Sequence, residues 1–302
     1  MKGEDSVEFS WGDLLASFGA GLFGAAIGAL PAFILTGFFI LIGTIAVLSG
    51  SGFDVINSWG FGPLFGPHTA FAGGVAAAAF AAQKKHMEDG KDITVALSGL
   101  DKPIVLVVGG IFGALGYIIN AGLGAIVGEY TDTIALTVII SAIIARLVFG
   151  KNGLFSVSKE AEKRGRFTPG GEQVWVEYQQ EWTQIITICL GASIISAWMA
   201  LAIEPIAPEA ANFVGFGLSA FSIIFFQFGV KIPMTHHITI IAALAATTSG
   251  SLLVGILMGI LSGIVGEWMA RLFLIHGDTH IDPPANAIWI MTTIVILGSM
   301  IL

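Results

Sequence analysis

Residues 66–85 read GPHTAFAGGVAAAAFAAQKK and residues 235–250 read THHITIIAALAATTSG. Both are apolar runs dense in alanine, both open on histidine, and both follow a Gly/Pro-containing approach, FGPLFGPH at 61–68 and FGVKIPMTHH at 228–237. From His68 to Gln83 there are sixteen residues, about 24 Å of helix at 1.5 Å per residue. That falls short of the ~30 Å of hydrocarbon that a full span must cross. Proline cannot continue a helix from its N-terminal side without losing a hydrogen bond, so Pro67 and Pro233 read as helix starts. Short, Pro/Gly-interrupted segments at corresponding places in two halves of a chain are the sequence pointer to a transport site, and both segments read as half-helices.

The rest of the chain supplies the frame for them. Of 302 residues, 55% are hydrophobic and 11% charged, with a mean hydropathy of +0.86. A water-soluble domain carries about a quarter of its residues charged, so the expected class is an all-α polytopic membrane protein. Ten runs have roughly the composition and length of spans: 13–30, 32–50, 66–83, 103–127 and 133–149, then 183–203, 210–230, 235–250, 252–275 and 286–302. A polar stretch, 151–181, holding SKEAEKRGR and TPGGEQ, divides them five and five. The expected organisation is a first five-helix repeat over 1–150, a cytoplasmic connecting segment over 151–181, and a second five-helix repeat over 182–302.

Charge orients this plan. Lys84, Lys85, Lys91 and Lys102 in one connection, and Lys151, Lys159, Lys163, Arg164 and Arg166 in another, make up nine of the thirteen basic residues. Ten spans put both connections on one side, which the positive-inside rule assigns to the cytoplasm. Lys231 joins them there. The acidic N-terminal tail, Glu204 and Glu209 fall outside, so both termini are expected outside the cell inner (plasma) membrane. No basic n-region precedes the first apolar run, which is expected to stay in the mature protein. A net charge of -8 argues against a nucleic-acid partner. The single cysteine, Cys189, provides neither a disulfide nor a cysteine-based metal site.

Because five is odd, the second half enters the membrane upside down relative to the first. The two halves also align. His68 falls on His237, Gly73 on Ala242, Gly74 on Ala243, Ala76 on Ala245 and Ala77 on Ala246. Gly110 precedes Gly128 by 18 residues as Gly259 precedes Gly277, and one inserted residue then brings Asp132 of GEYTDT onto Asp282 of HGDTHIDPPA. This plan of inverted five-span repeats in about 300 residues resembles several carrier and channel superfamilies, among them urea-type channels and bile-acid-type carriers. The resemblance lies in architecture and implies solute movement. It assigns no role to any residue of GPHT, GEYTDT or HGDTHIDPPA.

Candidate site residues follow from the half-helices. Helix N-termini carry partial positive charge and free N–H groups, so an anionic group is their natural ligand. The substrate-binding candidates are Gly66, Pro67, His68 and Thr69 in one half, and Pro233, Thr235, His236 and His237 in the other. Glu129, Asp132, Asp278 and Asp282 lie in connections that could fold back toward the histidines, as coupling or gating groups. Glu267 joins them because ionisable groups within a span are functional candidates, although Arg271 stands four residues on and can neutralise it. Arg146, near the inner end of its span, is expected to snorkel to headgroups. No metal or cofactor is expected; were a metal bound, His280, Asp278 and Asp282 have the ligand types. The absence of Walker, G-x-S-x-G and H-E-x-x-H motifs weighs against an ATP-driven pump and against a hydrolase.

The expected function is secondary transport of a small polar, anionic solute coupled to H+ or Na+, and not an enzymatic one. The alternatives are an uncoupled small-solute channel, a divalent-metal transporter, and a membrane-embedded metalloenzyme built on His236, His237, Asp278, His280 and Asp282. The partners are the small-molecule substrate and the lipid bilayer, with a homo-oligomer compatible with the plan.

Overall fold

The computed structural model describes residues 9–171 and 173–301. The acidic tail 1–8 and Glu172 of TPGGEQ lie outside them. The regular structure of the described residues is helical, without strands. The helices are α1 (Trp11–Ile27), α2 (Ala29–Leu48), α3 (Ala72–Gln83), α4 (Pro103–Val127), α5 (Thr133–Phe149), α6 (Lys159–Arg164), α7 (Trp182–Ile203), α8 (Pro208–Ala211), α9 (Val214–Ser222), α10 (Ile224–Gln227), α11 (His236–Ser249), α12 (Leu252–Met269) and α13 (Pro283–Ile301). A π turn over Pro67–Phe71 leads into α3, and another over Ala270–Leu274 continues α12.

Six stretches are long and apolar enough to cross a membrane: Ala29–Leu48, Pro103–Val127, Trp182–Ile203, Pro208–Gln227, Leu252–Leu274 and Pro283–Ile301. The apolar helices Trp11–Ile27 and Thr133–Phe149 have 17 residues each. The outward faces of these helices carry large apolar side chains, including Leu15 of α1, Ile126 of α4 and Leu253 of α12, each at least 70% exposed. The chain is a helical protein of membrane type. α1 and α2 are separated only by Gly28, whose φ of 101° lies in a region that side chains disfavour; the Leu30 N–H just beyond the break donates to the Ile93 carbonyl.

Close approach of small residues builds each bundle. In the first half, Gly21 of α1 lies against Gly109 and Gly113 of α4, and Gly73 of α3 lies against Gly109 and Gly21. In the second, Cys189, Ser193 and Ala197 of α7 lie against Gly263, Gly259 and Gly255 of α12, and Ala242 of α11 lies against Gly259. α1 and α3 therefore run against α4 as α7 and α11 run against α12. The short helices begin partway along their long neighbours: the His68 carbonyl meets Gly116, near the middle of α4, and the His237 ring meets Gly266 of α12.

The halves meet along an antiparallel crossing of α2 with α9 and along α5 with α13. Gly37 of α2 packs on Ala220 and Phe221 of α9, while Gly217 packs on Ile40 and Leu41. Thr131, just before α5, lies 2.6 Å from Thr293 of α13, oxygen to oxygen. Arg146 departs from the sequence expectation. It is 1% exposed, and its guanidinium donates to the Thr279 hydroxyl at 2.9 Å, to the Phe273 carbonyl at 2.6 Å and to the Thr279 carbonyl at 2.5 Å. The fork finds better acceptors in the loop after α12 than in headgroups, because one planar group can satisfy several carbonyls at once.

Candidate functional site

A cavity of about 1010 Å³ lies between the crossing helices. α2 contributes Phe33, the π turn before α3 contributes Pro67 and Phe71, α9 contributes Phe216, and α11 contributes His236 and Ile240. α5 and α13 present their first turns, with Asp132 and Asp282 at the wall. Loops complete it, with Lys91 and Asp92 from the connection after α3, Trp175 and Tyr178 from the long polar connection, and Lys231 from the approach to α11. The walls are largely aromatic and aliphatic with separate polar groups, the usual constitution of a small-molecule site.

Both wall aspartates are helix caps. Asp132 accepts the Ala135 N–H at 2.7 Å, and Asp282 accepts the Ala285 N–H at 2.8 Å. Asx caps satisfy N–H groups that a first turn leaves open. Burial raises the Asp132 carboxyl above its ordinary range, while the N–H groups of Ala135 and Ile134 act against that shift. The second oxygen of Asp282 meets His280 Nε2 at 3.0 Å, and the His280 ring stands edge-on to Phe71, centroids 6.1 Å apart. The His236 ring lies 4.6 Å from Phe33 and 6.0 Å from Phe216, and its Nδ1 has no hydrogen-bond partner among the described residues.

Of the residues singled out in the sequence, Pro67, His236, Asp132, His280 and Asp282 are brought together on this wall. Gly66, His68, Thr69, Pro233, Thr235, His237, Glu129, Glu267 and Asp278 do not line it. The Gly66 carbonyl takes the Thr69 hydroxyl at 2.9 Å, and the Thr235 hydroxyl lies 2.5 Å from that of Ser219. His68 and His237 are buried off the wall, with Nδ1 of the first and both ring nitrogens of the second lacking partners among the described residues. Glu129 is exposed. Glu267 is bonded to Arg271 at 2.7 Å, and that guanidinium also reaches the Phe167 and Gln180 carbonyls and lies over Trp182. Asp278 accepts the Lys151 N–H at 2.6 Å, away from the His280–Asp282 pair. Among the described residues no three His, Cys, Asp or Glu side chains are gathered as metal ligands would be.

The aromatic wall was not read from the sequence. Phenylalanines inside apolar runs carry no distinguishing mark, whereas Trp175 and Tyr178 in a connection rich in polar residues are a signal, since amphipathic rings in such a segment often return to an apolar surface.

A family model described as a family of unknown function (DUF7973) matches residues 4–161 and again residues 155–301. No curated protein and no solved structure matches the chain. Both matches together cover nearly the whole sequence, and the chain belongs to the DUF7973 family.

Proposed function

We propose that the protein is a secondary carrier of a small polar solute with an anionic group, coupled to H+ or Na+, built from two inverted five-helix repeats over 1–150 and 182–302 joined by the cytoplasmic segment 151–181. In this reading ten segments enter the membrane, α3 and α11 as half-helices, and both termini lie outside.

The observation that carries the proposal is the make-up of the cavity wall. Asp132 and Asp282, Ile134 and Pro284, Ala135 and Ala285, and Val138 and Ile288 all line it, and each pair is separated by 150 residues. Pro67 with His236 and Phe71 with Ile240 also line it, each pair separated by 169, the offset that places His68 on His237. A cavity lined by matching residues of two halves lies where carriers with inverted repeats hold their solute. The packing glycines Gly109, Gly113 and Gly116 stand 150 residues before Gly259, Gly263 and Gly266, so Gly109 rather than Gly110 is the partner of Gly259. No inserted residue is then needed to reach Asp132 and Asp282. The double family match and the reciprocal packing of Gly37 and Gly217 across an antiparallel crossing support the same repeat.

A thermal-shift screen of detergent-purified protein tests this. The panel is small carboxylates, inorganic anions, amines, neutral amides and divalent metals, against wild type and His236→Ala. A ligand that binds only the folded state raises the melting point by mass action. Stabilisation by an organic anion, lost in His236→Ala, is the expected result. Stabilisation by a divalent metal alone moves the reading to a metal carrier.

An uncoupled channel is the second reading. It is favoured by one cavity being lined both by 91–94, within the first basic connection, and by Thr131 and Asp132 on the opposite side of the proposed membrane.

A further inference from the structure

The long polar connection does more than join two halves. It is fixed at two places by side chains that reach backbone carbonyls. Arg166 donates to Phe155 and Leu272, and its own carbonyl meets His276 Nε2 at 2.7 Å. Arg271 donates to Phe167 and Gln180, both at 2.9 Å. Between these anchors, residues 175–179 pass along the cavity, and Trp175, Val176, Glu177 and Tyr178 line it. The stretch has only a 3-10 turn, Glu177–Gln179, as regular structure.

Three hydrogen bonds tie this stretch to the approach to α11. The Tyr178 hydroxyl donates to the Ile232 carbonyl at 2.7 Å, the Gln179 amide donates to the Met234 carbonyl at 3.1 Å, and the Met234 N–H donates to the Gln179 side-chain oxygen at 2.8 Å. Gln179 is only 3% exposed. Its amide thus satisfies both backbone groups of Met234, two residues before the first residue of α11. The Trp175 ring lies 5.8 Å from the His237 ring. A segment with no more than one 3-10 turn, held by a few side-chain bonds, opens locally at a lower free energy than the long helices around it.

We infer that residues 175–179 form a gating strap over the cavity, hinged at its two arginine-held ends and pinned by Gln179 to Met234. The inference rests on the carrier reading for its purpose, since it assigns a gate to the same solute site. Opening the strap withdraws Trp175 and Tyr178 from the wall. It also releases both backbone groups of Met234, so the start of α11, with His236 at the cavity and His237 behind it, is freed in the same movement. Gln179 is a positioning residue here and touches no solute.

The test uses thiol labelling and needs no knowledge of the solute. Cys189, the single native cysteine, is buried, and Cys189→Ala gives a silent background. Ala285→Cys places a reporter on the cavity wall, where the alanine is 6% exposed. Inside-out and right-side-out vesicles are treated with a membrane-impermeant thiol reagent, and the labelling rate is read for the reporter alone and with Gln179→Ala or Tyr178→Phe. Loss of the pin should raise the rate about tenfold from the side of the polar connection, the effect of losing ordinary net hydrogen bonds on an opening equilibrium. Tyr178→Phe, which removes one hydroxyl and keeps the Gln179 pin, gives a smaller rise from the same side. Unchanged rates in both variants, or equal rises from both sides, overturn the strap. Labelling does not depend on transport, so a responsive strap in a protein that moves no solute would count against the carrier reading alone. An unresponsive strap in a working carrier would count against the strap alone.

Discussion

Asp282 Oδ1 lies 3.0 Å from His280 Nε2 while Oδ2 accepts the Ala285 N–H. Asp132 makes the corresponding cap on α5, but among the described residues no imidazole bonds to it. The frame of the site is matched between the halves while its chemistry is not. Among the described residues imidazole reaches the cavity wall only from the second half, at His236 and His280, so the two halves present different polar groups to the cavity.

The lone cap carries a pH dependence. Burial raises the Asp132 carboxyl in the folded protein, so folding favours its protonated form. The sign follows: its contribution to stability is most favourable below the unfolded carboxylate range and is lost as pH rises through the raised folded value. Asp132→Asn keeps a capping oxygen without the charge. It should melt higher than wild type at pH 7.5, with the difference shrinking toward pH 4. Asp132→Ala removes the cap and should cost about 1 kcal/mol.

Gly116 is set by packing. A Cβ there would fall on the His68 carbonyl oxygen, which is backbone and cannot yield cheaply, whereas a Cβ on Gly122 of the same helix meets nothing within 4 Å. Gly116→Ala should destabilise by about 3 kcal/mol, at the upper end of overpacking costs. Gly122→Ala should be neutral or gain roughly 0.5 kcal/mol from helix propensity. Melting curves of both in one detergent check the contrast.

Arg146 joins the halves through the loop after α12. Arg146→Met leaves the Thr279 and Phe273 carbonyls without their donor and should cost about 3 kcal/mol. Arg146→Lys should recover only part of this, because an ammonium cannot reproduce the fork. The melting temperatures of the two variants test the order.

Helix positions were legible because length and apolarity govern them directly. The runs expected at 103–127 and 133–149 are α4 and α5 to the residue, and α11 lies within one residue of 235–250 at each end. The site was legible only as a neighbourhood. Pro67, His236, Asp132, His280 and Asp282 reached the wall, but His68 and His237 did not. Adjacent residues on a helix point about 100° apart, so of His236 and His237 only one can face a given cavity, and the sequence does not say which. Nor could it pair Trp175 and Tyr178 with α11, because that contact spans more than fifty residues of chain and depends on how the connection folds back.

That rotation gives its own test. His236→Ala should weaken the binding of any stabilising ligand with little change in the melting point of the free protein. His68→Ala and His237→Ala should do the reverse, lowering the free protein's melting point while leaving the ligand-induced shift in place. Ligand titrations by thermal shift on the three variants separate the two behaviours.

The most direct measurement is solute accumulation in proteoliposomes. Purified protein is reconstituted, a pH or Na+ gradient is imposed, and a defined mixture of small organic acids, inorganic anions, amines and neutral solutes is supplied outside. Internal contents are then read by mass spectrometry for wild type and for His236→Ala with Asp282→Asn. A secondary carrier concentrates at least one organic anion above its external level only while the gradient lasts, and the double variant does not. Equilibration without a gradient, or no entry of any solute into wild-type liposomes, contradicts it.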